Sequence, residues 1–233
     1  MSPDKAPKTG PANAEAWVFD LDNTLYPAKS NLFSQVDRRM TRFIADFLGL
    51  DSESAYRLQK SYLRAHGTTM RGLMDEHGMD PGPFLDFVHD IDLDPVTPDP
   101  VLDRALARLP GRKIVFTNGP SDHAFRVMDR LAVAHHFEAV FDIVEADYVP
   151  KPEPRAYAAL VRRHRLTPER TVMVEDMARN LRPAAALGMI TVWVRPGSDE
   201  GDGGDGGDEV EAGIDHVTDD LARWLAGLTG DAG

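Results

Sequence analysis

Trp17-Val18-Phe19-Asp20-Leu21-Asp22-Asn23-Thr24-Leu25-Tyr26 is the stretch from which the rest of the chain is read. Its three leading apolar residues predict a buried strand, and an abrupt polar turn follows. Only Leu21 separates Asp20 from Asp22, so two carboxylates share one strand tip. Like charges crowded at the end of a sheet call for a cation or a developing positive group beside them.

Downstream of this stretch the pattern becomes helical. Residues 27–30 break it, with Ser30 as a candidate N-cap. Leu32, Val36, Met40, Phe43, Ile44 and Phe47 then recur at helical spacing up to Gly49. A second helix is expected from Asp51 or Ser52 to about residue 65, closed by Gly67. A third starts near Thr68 or Thr69, and a fourth carries Phe84, Phe87, Val88 and Ile91. The proline-rich run 94–100 marks the return.

From there short apolar runs alternate with helices. Strands are expected at 114–116, 140–144, 172–174 and 191–194. Helices are expected at 101–109, from Ser121 or Asp122 to about 134, and at 153–164 and 178–187. A closing helix at 217–228 would be capped by Thr218. This alternation predicts an α/β fold, a Rossmann-like parallel sheet sandwiched by helices, with right-handed crossovers and an all-α insert after the first strand. The expected organisation is a disordered tail at 1–14, a core at 15–27 and 98–233, and a helical domain at 28–97. The Gly/Asp-rich stretch 197–213 reads as a flexible acidic loop.

Composition narrows the function. Among 233 residues the net charge is −12, which argues against nucleic-acid polymers and anionic membranes. A small anionic substrate needs only local positive charge and stays open. There is no cysteine, no signal-peptide pattern and no membrane-length apolar run, so a soluble cytoplasmic protein, monomer or dimer, is expected.

Ligands of open α/β sheets sit beyond the carboxyl ends of the strands. Four polar stations fall there: Asp20/Asp22, Thr117/Asn118, Lys151 and Glu175/Asp176. Asp20 can act as a nucleophile, and Asp22 can protonate a leaving oxygen and later activate water. Oxygen ligands from Asp20 and Asp176 with a carbonyl in the turn suit Mg²⁺. Lys151 balances charge, and Thr117 with nearby N–H groups can hold phosphate oxygens. Taken singly, each station has a plain alternative: a turn, a solvated lysine, or acids favouring a helix N-terminus.

In this order the stations resemble the four motifs of the haloacid dehalogenase-like phosphohydrolases. Asp20, Asp22 and Thr24 match the first, Thr117 with Asn118 the second, Lys151 the third and Glu175-Asp176 the fourth. The resemblance implies two-step phosphate-ester hydrolysis through phospho-Asp20. It implies Mg²⁺ held by Asp20, the Asp22 carbonyl and Asp176, with Glu175 acting directly or through water. The insert at 28–97 is similar to the family's helical C1 cap. Within it, Gly67-Thr68-Thr69-Met70-Arg71-Gly72-Leu73 and Val88-His89-Asp90-Ile91-Asp92 resemble segments of pyrimidine 5′-nucleotidases, as does Asp20 to Tyr26. That subgroup implies a nucleoside monophosphate as the small phosphorylated partner, with substrate contacts from Asn23, Thr24, Asn118, Thr69 and Arg71. Alternatives are a phosphatase for a sugar phosphate or phosphoglycolate, a phosphosugar mutase, a dehalogenase, or a non-catalytic binding protein. His135-His136 reads as a helix end whose positive charge suits the dipole. Asn180 is expected to orient Asp176 or Lys151, or to be helical surface.

Overall fold

A computed structural model describes residues 10–195 and 213–230. Residues 1–9 of the expected tail, and all but Gly213 of the Gly/Asp-rich stretch, lie outside them. The described chain divides into two compact units, one running up to Lys29 and on from Val96, the other Ser30–Pro95.

In the larger unit, strand β1 (Ala16–Phe19) is buried along its whole length. It pairs with β2 (Arg112–Phe116) on one side and β4 (Thr171–Glu175) on the other. Strands β3 (Ala139–Phe141), β5 (Ile190–Val194) and β6 (His216–Thr218) complete a parallel sheet in the order β3-β2-β1-β4-β5-β6. Register sets Val18 opposite both Ile114 and Met173, so neighbouring strands end at similar levels. The Asp20 N–H still donates to Val174 O at 2.9 Å, which pins the first polar residue to the sheet edge.

The smaller unit holds α1 (Leu32–Leu48), α2 (Ser52–His66), α3 (Thr69–His77) and α4 (Pro81–His89). Asp51 and Thr68 cap α2 and α3, accepting from Ser54 N–H at 2.9 Å and Arg71 N–H at 3.1 Å. Phe43 of α1 meets Phe84 of α4 edge to face at 5.1 Å. The buried Gln59 accepts from Thr41 Oγ1 at 2.6 Å and donates to Asp37 Oδ1 at 2.7 Å, tying α2 to α1.

The larger unit adds α5 (Pro100–Arg108), α6 (Ser121–Arg130), α7 (Pro154–His164), α8 (Ala178–Leu187) and α9 (Leu221–Leu228). Strand alternation separates two faces of the sheet. Val18 packs in a core with Ile114, Met173, Tyr157 and Leu160 of α7, and Leu181 of α8. On the other face Trp17 meets Trp224 of α9 at 6.3 Å, and Phe19 meets Phe137 at 5.7 Å. No helix of the described residues is long and apolar enough to cross a membrane.

Several expectations need correction. Residues 10–14 are not a loose tail: Pro11–Asn13 is a 3-10 turn and Ala14 is buried, because Glu15 N–H donates to Arg170 O at 2.9 Å beside β4. Helix α1 starts after Asn31 rather than Ser30, and Ile91 lies past the end of α4. The strand expected at 140–144 stops at Phe141, where Asp142 turns to serve α6. Its carboxylate accepts from Ser121 N–H at 2.8 Å, so the cap comes from neither Ser121 nor Asp122. Helix α6 ends at Arg130, since Ala132 takes a left-handed φ of 61°. The expected closing helix at 217–228 splits: His216–Thr218 extends the sheet, and α9 starts after Asp220, whose carboxylate accepts from Arg223 N–H at 3.0 Å. Three strand residues are too few to show alternation in sequence.

Candidate active site

Strands β1, β2 and β4 deliver three of the four stations of the larger unit to one end of the sheet. Asp20 follows β1, Thr117 and Asn118 follow β2, and Glu175 closes β4 with Asp176 behind it. Lys151 comes from the segment before α7 and is buried among them. Its Nζ donates to Asp20 Oδ1 at 2.5 Å, Glu175 Oε2 at 2.7 Å and Phe116 O at 2.9 Å. These three acceptors use all three ammonium protons.

Each member of the cluster is itself held. Thr24 Oγ1 donates to Asp20 Oδ2 at 3.0 Å, so both nucleophile-candidate oxygens are fixed. Asn118 grips the Lys151 peptide from both sides: its Nδ2 donates to Lys151 O at 3.2 Å, and its Oδ1 accepts from Lys151 N–H at 2.8 Å. Glu175 Oε1 accepts from Asn180 Nδ2 at 3.0 Å, so Asn180 orients Glu175, where Asp176 or Lys151 was expected. Thr117 Oγ1 accepts from Gly119 N–H at 2.9 Å. The Asp176 carbonyl accepts from Trp193 Nε1 at 2.8 Å. Asn23 adopts a left-handed φ of 61°, the turn that carries the chain away after Asp22.

Asp22 is held differently. Its Oδ1 accepts from Tyr26 Oη at 2.6 Å and lies 3.2 Å from Nε2 of the buried His123. Neither residue stood out in the sequence. Tyr26 carries no assigned role in the opening stretch, and His123 is 101 positions from its partner.

Electrostatics follow from burial. The Asp20 carboxyl is pushed up to about 7, first by burial and then by the charge of Glu175, with Lys151 pulling the other way. Burial and the Glu175 and Asp20 charges push the Asp176 carboxyl well up too. Burial alone would lower the Lys151 ammonium, but the Asp20 and Glu175 carboxylates outweigh it and the net direction is upward. One lysine therefore faces an excess of buried acid. Asp20, Glu175 and Asp176 place carboxylate oxygens within 4.8 Å of one another. An all-oxygen set with surplus negative charge fits a hard divalent cation such as Mg²⁺.

Of the residues expected to meet substrate, Thr24 and Asn118 are engaged within the protein, which gives them a positioning geometry. Thr69 and Arg71 belong to the smaller unit. There Thr69 Oγ1 donates to Gln59 O at 3.3 Å, and Arg71 Nε pairs with Asp75 Oδ2 at 2.9 Å.

Comparison with known proteins gives a family-model match to haloacid dehalogenase-like hydrolase over residues 14–188. The chain is 31% identical over 201 residues to glyceraldehyde 3-phosphate phosphatase of Methanopyrus kandleri, covering 78% of this chain and 84% of that protein. It is 27% identical over 206 residues to phosphate metabolism protein 8 of Saccharomyces cerevisiae, covering 81% of this chain and 64% of the length of the yeast protein. Among solved structures, a phosphatase from Thermococcus onnurineus superposes with a TM-score of 0.59 at 18% identity, over 93% of this chain and 98% of that one. At that identity the likeness speaks to the fold.

Proposed function

The chain belongs to the haloacid dehalogenase-like hydrolases, and from that premise we propose a Mg²⁺-dependent phosphohydrolase that works through phospho-Asp20 on nucleoside 5′-monophosphates, pyrimidine ones foremost. The observation that carries the chemistry is Lys151 Nζ at 2.5 Å from Asp20 and 2.7 Å from Glu175, beside the clustered oxygens of Asp20, Glu175 and Asp176.

In this reading an Asp20 oxygen attacks phosphorus while the bond to the ester oxygen breaks. Asp22 gives its proton to the departing oxygen. Asp22, now ionised, takes a proton from water; the water oxygen attacks the acyl phosphate and frees inorganic phosphate and Asp20. Lys151 offsets negative charge throughout, and Thr117 with turn N–H groups holds phosphate oxygens. Asp20, Asp176 and the Asp22 carbonyl would hold Mg²⁺, with Glu175 directly or through water. When bound, the ion supplies electrophilic charge against the phosphoryl oxygens. Thr24, Asn118 and Asn180 are positioning residues.

Specificity is assigned to the helical unit Ser30–Pro95, read as a C1 cap in which Thr69 and Arg71, with Asn23 of the core turn, contact substrate. Its Gly67–Leu73 and Val88–Asp92 segments support the nucleotidase subgroup. A second reading, a phosphatase for a small phosphorylated sugar, is favoured by the name of the archaeal relative at 31% identity.

Phosphate release across nucleoside monophosphates, glyceraldehyde 3-phosphate, hexose phosphates and phosphoglycolate tests the substrate. Pyrimidine monophosphates should lead in kcat/KM, and a flat profile removes the nucleotidase assignment. Asp20→Asn should lower p-nitrophenyl phosphate turnover by about a thousandfold or more; undiminished activity refutes the nucleophile.

A further inference from the structure

Two histidines and an aspartate outside the phosphoryl site converge on one point. Asp103 stands in the first turn of α5, between the buried Leu102 and Ala105. His135 and His136 occupy the 3-10 turn Ala134–His136 that follows α6. They end this 3-10 turn and not α6, which stops at Arg130. Both carriers are anchored. The His136 N–H donates to Val133 O at 3.0 Å, and the next residue, Phe137, packs its ring 5.7 Å from Phe19 of the central strand.

His136 Nε2 lies 2.7 Å from Asp103 Oδ1, and His135 Nε2 lies 3.4 Å from the same oxygen. The two imidazoles stand side by side with centroids 3.9 Å apart and planes tilted by 43°. In a 3-10 turn successive side chains diverge by about 120°, so adjacent rings meet only if both turn toward a common target. A carboxylate oxygen can accept two hydrogen bonds, and His136 at 2.7 Å already provides one. The inward turn of His135, whose side chain is 64% exposed, adds a second nitrogen at the same spot.

That geometry is close to a coordination shell. Metal–ligand bonds of about 2.0–2.2 Å in a tetrahedron place ligand atoms about 3.4 Å apart. The His135–Asp103 separation of 3.4 Å matches, whereas the 2.7 Å His136 contact must lengthen and the two rings, 3.9 Å apart, must spread for both nitrogens to face one ion. All three ligand atoms fall within 4.8 Å of one another. Two imidazole nitrogens and one carboxylate oxygen select borderline transition metals and suit Mg²⁺ poorly. We propose that Asp103, His135 and His136 form a Zn²⁺ site that shares no residue with the phosphoryl site and staples the start of α5 to the turn after α6. Solvent reaches the ion past His135 and supplies the fourth ligand.

The test uses the full chain, stripped with EDTA, desalted and returned to saturating Mg²⁺. Zn²⁺ is then added in a calorimetric titration and in thermal melts, and Co²⁺ in an absorption titration. The wild type should bind one equivalent of Zn²⁺, raise its Tm on doing so, and give a Co²⁺ visible band of imidazole coordination. His135→Ala should weaken Zn²⁺ binding by about tenfold or more and abolish the Tm rise, with an unchanged metal-free melt. Asp20→Asn should retain the Zn²⁺ response. The proposal is overturned if the wild type takes up no Zn²⁺ at about 100 µM free ion. It is equally overturned if His135→Ala and His136→Ala both bind as the wild type does, or if Asp20→Asn is the variant that loses binding.

Discussion

Tyr26 and His123 meet the same oxygen of Asp22, at 2.6 and 3.2 Å. A carboxyl group that must pass a proton to a departing oxygen gains from having one of its oxygens fixed, because its orientation is then set before substrate arrives. Tyr26→Phe removes one hydroxyl and keeps the buried ring, so it should lower kcat by about tenfold with KM little changed. The loss should be larger for alkyl phosphates, which need the proton, than for p-nitrophenyl phosphate. An equal loss on both substrates speaks against this role. Lys151→Met acts on stability as well. It leaves the Asp20 and Glu175 carboxylates buried with no ammonium between them, a loss of about 3–5 kcal/mol by urea denaturation at neutral pH. The deficit should shrink on acidification, when the Asp20 carboxyl can take up a proton. The acidic stations were legible in the sequence because each follows its own apolar run, whereas Lys151 stands ten residues beyond the end of β3 and is carried in by the segment before α7. The Asp22 contacts were not, since nothing local links position 123 to position 22. Thr24 and Asn118 show the converse: their identities were legible, but only coordinates reveal that their polar atoms face inward.

At the scale of elements, α2 and α3 are held close by the lack of a side chain at Gly72. A Cβ there would stand 2.4 Å from Cγ of Tyr62. Glycine to alanine in a helix ordinarily gains about 1 kcal/mol of propensity, whereas forcing a methyl against a ring in a packed interface costs about 1–3 kcal/mol. The ring carbon sits next to the α2 backbone and cannot swing away, so the clash wins. Gly72→Ala should lower stability by up to about 2 kcal/mol in chemical denaturation. Gly82→Ala is the control: its Cβ would find only Asp80 Oδ1, at 3.5 Å, and should be neutral or better. The helices of this unit were readable from Asp51, Thr68, Gly49 and Gly67, whose backbone chemistry marks helix ends locally. The cap of α6 was not, because Asp142 reaches it from the end of β3. Strand β6 escaped notice since Thr218 and Asp220 carry the same turn chemistry whether a strand or a helix adjoins them.

For the whole molecule, the excess of buried acid sets how protons and cations compete. The folded Asp20 carboxyl stands at about 7, above its ordinary value of 3.8, chiefly through burial. The folded state therefore holds a proton that the unfolded chain releases. Without a divalent ion, this group's contribution to stability falls as pH rises from about 4 through about 7 and is flat beyond. Asp176 shifts in the same direction. A bound cation favours the ionised carboxylates, so Mg²⁺ should bind more weakly as pH drops through 7, and its stabilising increment in Tm should be larger at pH 8 than at pH 6. A Tm gain independent of pH would argue against Asp20 as a ligand. EDTA should abolish turnover and Mg²⁺ restore it. Asp20 and Lys151 are 131 positions apart, and this separation governs biosynthesis. At about 5–20 residues per second, the ribosome releases the aspartate roughly 7–26 s before the lysine that will neutralise it. During that interval the opening strand cannot be buried without stranding a charge, while Ser30–Pro95, whose contacts are near in sequence, is free to mature. Nascent chains arrested before position 151 should accordingly expose the opening segment to protease and protect the helical one.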